Sequence, residues 1–329
     1  MKEPTYLDAL KTSWDLAWHH KSLWIFGLFA AFLGQMGILE ILTKVGVTTS
    51  NLEIPSALVM VWNFIAELRH SDMSFFSTLP VDRWFLLAWL VVIFVSFGIA
   101  FLFVSVISQG ALVHRTAVYI AKKGKKMPDA HESWHASVVH FWRLLSLNIL
   151  RKVLIIAMAL FVGWAVANAL IEPTLGDNIL FLILFVLASI MGLVFSLWLV
   201  YAVGYVVIEE YPFVKAIRAA WRLFTNHWLV SFEVGFVIII LDVIASLLAL
   251  AGVFIVFFPT LFLLVLSIYF KAHILLTIGI VLGIVLSTLY VMLLGSICTV
   301  FTTSAWTFLF TKMHTHGMVS RVLSWMGKA

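Results

Sequence analysis

Hydrophobic residues in this chain form long continuous runs, several of which exceed the ~18 residues needed to cross a bilayer. The runs predict spans at about 23–43, 84–108, 153–171, 179–208, 229–257 and 274–310. We expect the second span to continue as helix through Tyr119 and the sixth to extend into the cytoplasm. An outer-membrane barrel would instead show alternating segments of ~10 residues. The pattern predicts an all-α fold, a polytopic transmembrane helical bundle of about six spans.

A shorter amphipathic segment precedes every second span. These segments, which we call elbows, cover residues 5–20, 129–143 and about 216–229. In the first elbow one stripe carries the apolar side chains Leu7, Leu10, Trp14, Ala17 and Trp18. Charged residues occupy the opposite face, as is typical of a helix lying in the membrane interface. Each repeat unit is therefore predicted to be an elbow helix followed by a transmembrane hairpin.

Every elbow contains a Trp that is followed six residues later by a His. The pairs are Trp14 and His20, Trp134 and His140, and Trp221 and His227. This predicts three parallel repeats, 5–127, 128–213 and 214–316, with a basic cytoplasmic tail 317–329, all within one transmembrane domain 1–329. Both ring types suit the headgroup layer, so we interpret the six residues as interfacial anchors. A ligand-binding role for the three His residues is the alternative.

Two regions interrupt the regular pattern. Residues 45–83 contain turn formers and a short apolar piece, Ala57–Ala66, predicted to be re-entrant or packed on the outer surface. Pro259 is predicted to end the fifth span, because proline removes a helical hydrogen bond. That would leave 260–273 as a short external or re-entrant piece.

Composition and charge narrow the class of protein. The chain is 63% hydrophobic and 11% charged, which excludes an ordinary soluble domain. The N-terminal segment is charged and amphipathic, so we expect a retained first span rather than a signal peptide. The single Cys298 rules out an intramolecular disulfide. If only Lys44, Arg69, Arg83 and Lys271 lie outside, the positive-inside rule places both termini in the cytoplasm.

Two stretches carry a resemblance to known proteins. They are KSLWIFGLFAAFLG at Lys21–Gly34 and EEYPFVKAIRAAWRLFTNHWL at Glu209–Leu229. They resemble poorly characterised bacterial polytopic inner-membrane proteins that are related in pattern to the membrane domain of glycerophosphodiester phosphodiesterases. The resemblance covers about half the chain and transfers no catalytic residue. It implies a protein of the bacterial inner (plasma) membrane and says little about activity.

The second elbow contains a match to the zinc-protease pattern H-E-x-x-H. His131 and His135 would hold the metal and Glu132 would serve as general base. The match lies in a repeated elbow whose other copies have unrelated residues at these positions, and no third ligand has a recognisable motif. His140, Glu209 or Glu210 are the residues that would have to supply it. We therefore expect no metal and no cofactor, and keep a zinc membrane protease as a minor alternative.

Two acidic residues lie in the predicted fifth span. Asp242 falls near its middle, and Glu233 lies nine residues earlier, nearer the cytoplasm. An ionised carboxylate in the bilayer costs several kcal/mol, so intramembrane acids are functional candidates. Asp242 is interpreted either as a protonated, hydrogen-bonded group or as part of a proton or cation path.

Two further features concern packing and lipid contact. Gly279 and Gly283 form a GxxxG pair that predicts close helix packing, within the bundle or between protomers of a homo-oligomer. A basic cluster follows the second span and is predicted to attract anionic headgroups; it comprises Lys122, Lys123, Lys125 and Lys126. The basic residues are spread along the membrane face, which argues against nucleic-acid binding.

The sequence thus favours a non-enzymatic bacterial inner-membrane protein that acts in membrane organisation or lipid interaction, or as the integral subunit of a larger membrane assembly. Its expected partners are membrane lipids and another membrane protein or an ATPase. The alternative from a different class is the permease subunit of a transporter with a separate ATPase. That alternative requires a polar path along Asp242 and Glu233.

Overall fold

The computed structural model describes residues 6–33, 81–122, 127–171, 175–270 and 273–315. Within these ranges the chain forms nine helices and no strand. The helices are α1 Tyr6–His19, α2 Ser22–Ala31, α3 Val81–Ala121, α4 Ala130–Val139, α5 Phe141–Ile171, α6 Leu175–Val207, α7 Phe213–Asn226, α8 Trp228–Phe270 and α9 His273–Thr315. The prediction of an all-α helical bundle is confirmed.

Five of these helices are long and apolar enough to cross a membrane. The qualifying stretches are Ala88–Ala121, Phe141–Trp164, Ile179–Val207, Trp228–Phe270 and Ile274–His314. The first predicted span begins as the ten-residue apolar helix α2, and the rest of it, 34–43, lies outside the described residues. The segment Ala57–Ala66 also lies outside them. The chain is a multi-pass membrane protein.

The prediction that Pro259 ends the fifth span is wrong. Helix α8 runs without interruption from Trp228 to Phe270 with Pro259 inside it. Its packing against α9 continues on both sides of the proline, at Phe257 and at Leu263. Proline is tolerated in apolar helices where neighbouring elements hold the flanking turns. Residues 260–270 are therefore part of a long helix and not a re-entrant piece.

The helix of the third predicted span also begins earlier than predicted. Helix α5 starts at Phe141, directly after α4, whereas the sequence suggested a start near Val153. Arg151 lies within α5 and is only 7% exposed. Basic residues limit the length of a hydrocarbon-embedded segment, but they are good helix formers and do not end a helix.

The chain divides into two compact units. The first comprises Met1–Gln35, Ser105–Leu147 and Leu197–Ala329, and the second comprises Met36–Val104 and Asn148–Ser196. The described part of the second unit contains a small apolar core of Ile155, Val162 and Ala188, flanked by aromatic side chains. In the first unit, α9 packs against α1, α2 and α8.

Helix α9 changes character along its length. Its first half exposes large apolar side chains such as Ile274, Ile284 and Leu289. Its second half buries hydroxyl groups, including Ser304, whose Oγ lies 3.3 Å from Thr116 Oγ1 of α3. Its 43 residues span roughly 64 Å, about twice the ~30 Å hydrocarbon thickness. The apolar half is therefore the part suited to lipid, and the hydroxyl-rich half belongs to the protein core beside the elbows.

Candidate functional site

The elbows are separate helices, each of which ends next to its histidine. Helix α4 is capped by His140 and α7 by His227. In α7, the His227 N–H donates back to Leu223 O, while its own C=O accepts from Ser231 N–H of the next helix. His140 makes the same two-sided connection, and His20 follows α1 directly. The histidine backbone is therefore the pivot between the elbow and the following helix.

The residue just before each elbow Trp is completely buried. These residues are Ser13, Ser133 and Ala220, all at 0% exposure. In α1 the residues buried against the protein are Ala9, Ser13, Leu16 and Ala17. Trp14 and Trp18 of the predicted interfacial stripe are exposed, and the contact of that stripe with the membrane stays a prediction. Small side chains allow the elbow backbone to approach the neighbouring helix closely, which turns the large rings outward.

The three elbow Trp residues differ in their surroundings. Trp14 and Trp221 are 58% and 44% exposed, as suits rings that face the interface. Trp134 is half-buried and its ring lies 6.4 Å from that of Phe26. Anchoring by all six Trp and His residues stays a prediction.

Helix α7 forms one wall of a basic cavity of about 670 Å³. Lys215, Arg218 and Arg222 line it from a single face of α7 and are all exposed. Neither arginine has a hydrogen-bond or ion-pair partner among the described residues. The described lining contains no carboxylate. The cavity thus presents three positive charges to any molecule that enters it.

Two tyrosines also line the basic cavity. The rings of Tyr205 and Tyr211 stack with centroids 5.5 Å apart. Lys215 Nζ lies 4.0 Å from the centre of the Tyr211 ring, an attractive cation–π arrangement. This contact holds the Lys215 ammonium at the cavity edge.

His314 of α9 completes the lining. Its Nδ1 lies 3.4 Å from Tyr205 Oη, and its Nε2 lies 3.3 Å from Glu209 Oε1. In the tautomer that donates from Nε2 to Glu209, the Tyr205 hydroxyl donates to Nδ1. The Glu209 carboxylate therefore accepts a hydrogen bond from His314.

A second cavity of about 330 Å³ is lined in part by Ile208 and Glu210 of the 208–212 turn. Its polar lining residues are His114, His140, Glu210 and Thr311, and the other lining side chains are apolar. Burial lowers the pKa of His140, the charge of Arg143 lowers it further, and Glu210 opposes them. We therefore expect His140 to be neutral at pH 7.

The 208–212 turn, which contributes residues to both cavities, has an unusual backbone. Glu210 has a φ of 56°, a left-handed conformation that costs a non-glycine residue about 1 kcal/mol or more. Arg143 Nη1 donates to the Glu210 carbonyl at 2.9 Å. The turn places Tyr211 beside Tyr205, so it helps to shape the basic cavity.

His20 occupies the junction after α1. Its ring lies 5.3 Å from that of Tyr119. Burial lowers the pKa of His20, with Asp15 opposing and Arg115 adding to the decrease. The guanidinium of Arg115 is 5% exposed and lies 5.6 Å from the Phe26 ring centre.

The H-E-x-x-H residues lie on the exposed side of α4. His131 Nε2 and His135 Nε2 are 3.2 Å apart, and Glu132 is exposed. Among the described residues, no group of three or more His, Cys, Asp or Glu side chains is arranged to hold a metal ion. The structure does not bring His140, Glu209 or Glu210 to this pair.

The intramembrane acids lie apart from both cavities. Asp242 is 9% exposed and Glu233 is half-buried, both on α8. Neither lines the basic cavity or the second cavity, which contains His140. A functional role for these two acids stays a prediction.

The glycine pair of α9 faces α8 in the same chain. A methyl group at Gly283 would lie 2.5 Å from Thr260 Oγ1, and one at Gly279 would lie 3.2 Å from Leu263 Cβ. The close approach is therefore within the chain. Of the basic cluster after α3, Lys122 is exposed, whereas Lys123, Lys125 and Lys126 lie outside the described residues.

Several residues that line the basic cavity were not predicted from the sequence. Tyr205, Tyr211 and His314 come from three places in the chain and have no common motif. Lys215, Arg218 and Arg222 had a readable signal, because spacings of three and four place them on one helix face.

No family model, curated protein or solved structure matches this chain. The resemblance of the elbow segments to the membrane domain of glycerophosphodiester phosphodiesterases stays a prediction.

Proposed function

We propose that this chain is a multi-pass protein of the bacterial inner membrane that binds anionic phospholipid at its cytoplasmic elbow layer. The observation that carries the proposal is the set of three exposed basic side chains of α7, which line one cavity. The proposal assigns the protein a role in lipid interaction or membrane organisation, without a catalytic step.

The amphipathic form of α7 supports this proposal. Ala216, Ala220, Leu223 and Phe224 are buried on one face, and the basic residues lie on another. A helix with an apolar face and a Lys/Arg-rich polar face is suited to the anionic headgroup layer. The distribution of Lys and Arg supports a cytoplasmic location for this layer.

The geometry of the basic cavity also supports headgroup binding. A volume of about 670 Å³ is within the range of small-molecule sites. Arginine binds phosphate through two parallel N–H donors, which gives orientation as well as charge neutralisation. Arg218 and Arg222 are one helical turn apart, about 6 Å along the axis, so both can contact one headgroup.

The test compares lipid retention in nanodiscs that contain phosphatidylglycerol or only phosphatidylcholine, measured by native mass spectrometry. The unaltered protein should retain phosphatidylglycerol preferentially. The double variant Arg218→Gln/Arg222→Gln should bind it about 30-fold more weakly, because each basic residue contributes about 1 kcal/mol to anionic-lipid binding.

The matched control is Lys11→Gln, which removes an exposed lysine at the α1 position equivalent to Arg218. It should leave retention nearly unchanged. Equal retention of both lipids by the unaltered protein would contradict the proposed function. An equal loss in the control and the double variant would show that the basic cavity is not the site.

A further inference from the structure

We infer that the basic cavity selects lipids whose headgroup ends in a terminal phosphate, a phosphomonoester or a diphosphate, over lipids with a phosphodiester headgroup. This inference rests on the proposed function and specifies the ligand of the same cavity.

The first reason is the number of positive charges. Lys215, Arg218 and Arg222 contribute three, and the described cavity lining has no carboxylate to neutralise them. These residues are three and four positions apart, so on an empty helix face the like charges repel. A phosphodiester brings one negative charge, whereas a phosphomonoester carries about 1.5 to 2 at pH 7. A phosphomonoester therefore neutralises the three positive charges of the cavity more completely than a phosphodiester does.

The second reason is the number of hydrogen-bond donors. Arg218 and Arg222 have no hydrogen-bond or ion-pair partner among the described residues, so both guanidinium forks are available. Lys215 is held at the same wall by its contact with Tyr211. A terminal phosphate offers three acceptor oxygens, whereas a phosphodiester has only two non-bridging oxygens. The third oxygen gives the third cation a partner.

The third reason is that the aromatic rings are already occupied. Tyr211 stacks on Tyr205 and also contacts Lys215 Nζ. Tyr205 packs edge-on against Phe310, with centroids 4.9 Å apart. Neither ring is left to stack on a sugar headgroup, and a choline or ethanolamine cation would be repelled by the basic wall. Recognition therefore depends on the phosphate itself.

The experiment uses the full chain in phosphatidylcholine nanodiscs doped with either phosphatidic acid or phosphatidylglycerol at equal mole fraction. Native mass spectrometry reports the bound lipid at neutral pH. We expect phosphatidic acid to bind about fivefold more tightly, the effect of roughly one additional charge. Arg218→Gln/Arg222→Gln should abolish this preference, and Lys11→Gln should preserve it.

The results separate this inference from the proposed function. Equal binding of the two lipids, both weakened in the double variant, would overturn terminal-phosphate selection but leave anionic-lipid binding intact. Failure of both lipids to bind above phosphatidylcholine would overturn the two together. A preference that survives in the double variant would overturn the assignment to the basic cavity.

A pH arm tests the charge argument. The second ionisation of a phosphomonoester lies near a pKa of about 6, so the preference should fall as the pH is lowered through that value. The titratable and charged groups that face the cavity or pair with its lining are Lys215, Arg218, Arg222, Tyr205, Tyr211, His314 and Glu209. The variant His314→Gln separates imidazole titration from ligand titration. Loss of the pH effect in that variant would overturn ionisation of the ligand as its cause.

A competition arm tests whether the ligand is a lipid. Glycerol 3-phosphate has the same terminal phosphate without acyl chains, so it should displace phosphatidic acid only at high concentration. Binding of glycerol 3-phosphate to detergent-solubilised protein as tightly as phosphatidic acid in the bilayer would identify a soluble phosphomonoester as the ligand, and would overturn the lipid assignment.

Discussion

The first and third elbows have the same backbone plan but opposite charge on their polar faces. In α1 and α7, small buried residues at equivalent positions, Ser13 and Ala220, pack against the helical core. The equivalents of Lys215, Arg218 and Arg222 in α1 are Asp8, Lys11 and Asp15. The comparison shows that the buried face determines where an elbow lies, while the polar face determines what it can bind.

The charges of α1 are compensated within the elbow, unlike those of α7. His19 Nδ1 lies 2.8 Å from Asp15 Oδ1, and Lys11 lies between two acidic residues at helical spacing. Such opposite charges stabilise a helix slightly, whereas like charges at the same spacings destabilise it. The face of α7 is therefore less stable without an external anion, which is consistent with a binding surface.

The largest effect on lipid binding is expected when the charged residues of α7 are replaced by their α1 equivalents. The triple variant Lys215→Asp/Arg218→Lys/Arg222→Asp should weaken phosphatidylglycerol retention by more than 100-fold, because about four units of charge are changed at roughly 1 kcal/mol each. Native mass spectrometry from nanodiscs measures this. Retention within a few-fold of the unaltered protein would show that α7 charge does not determine lipid binding.

The next largest effect should appear on the shared, buried face. Ser13→Leu and Ala220→Leu place a large side chain at fully buried positions and should each destabilise the fold by about 1–3 kcal/mol. Thermal unfolding in detergent measures the loss. The matched variants Ser13→Ala and Ala220→Ser test these positions without overpacking and should change stability much less. A fully stable Ala220→Leu would contradict close packing of α7.

A smaller effect concerns the pivot of the second elbow. Because burial lowers the pKa of His140 below its ordinary value of 6.5, the unfolded chain binds a proton more readily than the folded protein. Stability should therefore be fully present above pH 6.5 and should decline as the pH falls from there towards the lowered pKa. In His140→Gln this part of the decline should disappear. The exposed His131→Gln is the control and should retain the slope of the unaltered protein.

The smallest effect should follow from removing one negative charge from α1. Asp15→Asn removes an exposed ion pair worth about 0–1 kcal/mol and makes the polar face less acidic. Total anionic-lipid retention should rise by about fivefold or less, the effect of one unit of charge, without a preference for phosphatidic acid, because the basic cavity lies at α7. A gain in terminal-phosphate preference would show that charge alone, without the cavity, is sufficient.

Asp242→Asn separates the lipid-binding proposal from the transporter alternative. Since Asp242 does not line the basic cavity, lipid retention should be unchanged in this variant. A transporter that uses the carboxylate would lose ion-coupled uptake in proteoliposomes. Reduced lipid retention in a folded Asp242→Asn protein would contradict separate locations for the two features.

Local sequence patterns predicted the elbows well and helix ends less well. The third elbow was placed at about 216–229, and α7 covers Phe213–Asn226, because Ala216, Ala220, Leu223 and Phe224 form a clear helical stripe. In α1 the small residues Ser13 and Ala17 are buried while Trp14 is exposed, and hydrophobicity alone does not indicate that small residues pack more closely against the protein. Pro259 does not end its helix, because packing against α9 supports the turns on both sides of it. A local pattern cannot indicate that support.

The sequence by itself determined that this chain is an all-helical, multi-pass membrane protein with amphipathic elbows, because the length and period of apolar runs depend on local spacing alone. Only the tertiary structure decided where Tyr205, Tyr211 and His314 meet the basic face of α7. His314 lies 314 − 226 = 88 residues beyond the end of α7 in the chain, and no local pattern encodes such a distance. Packing of α6, α7 and α9 brings these residues together, and the resulting cavity turns a stripe of charge into a candidate binding site.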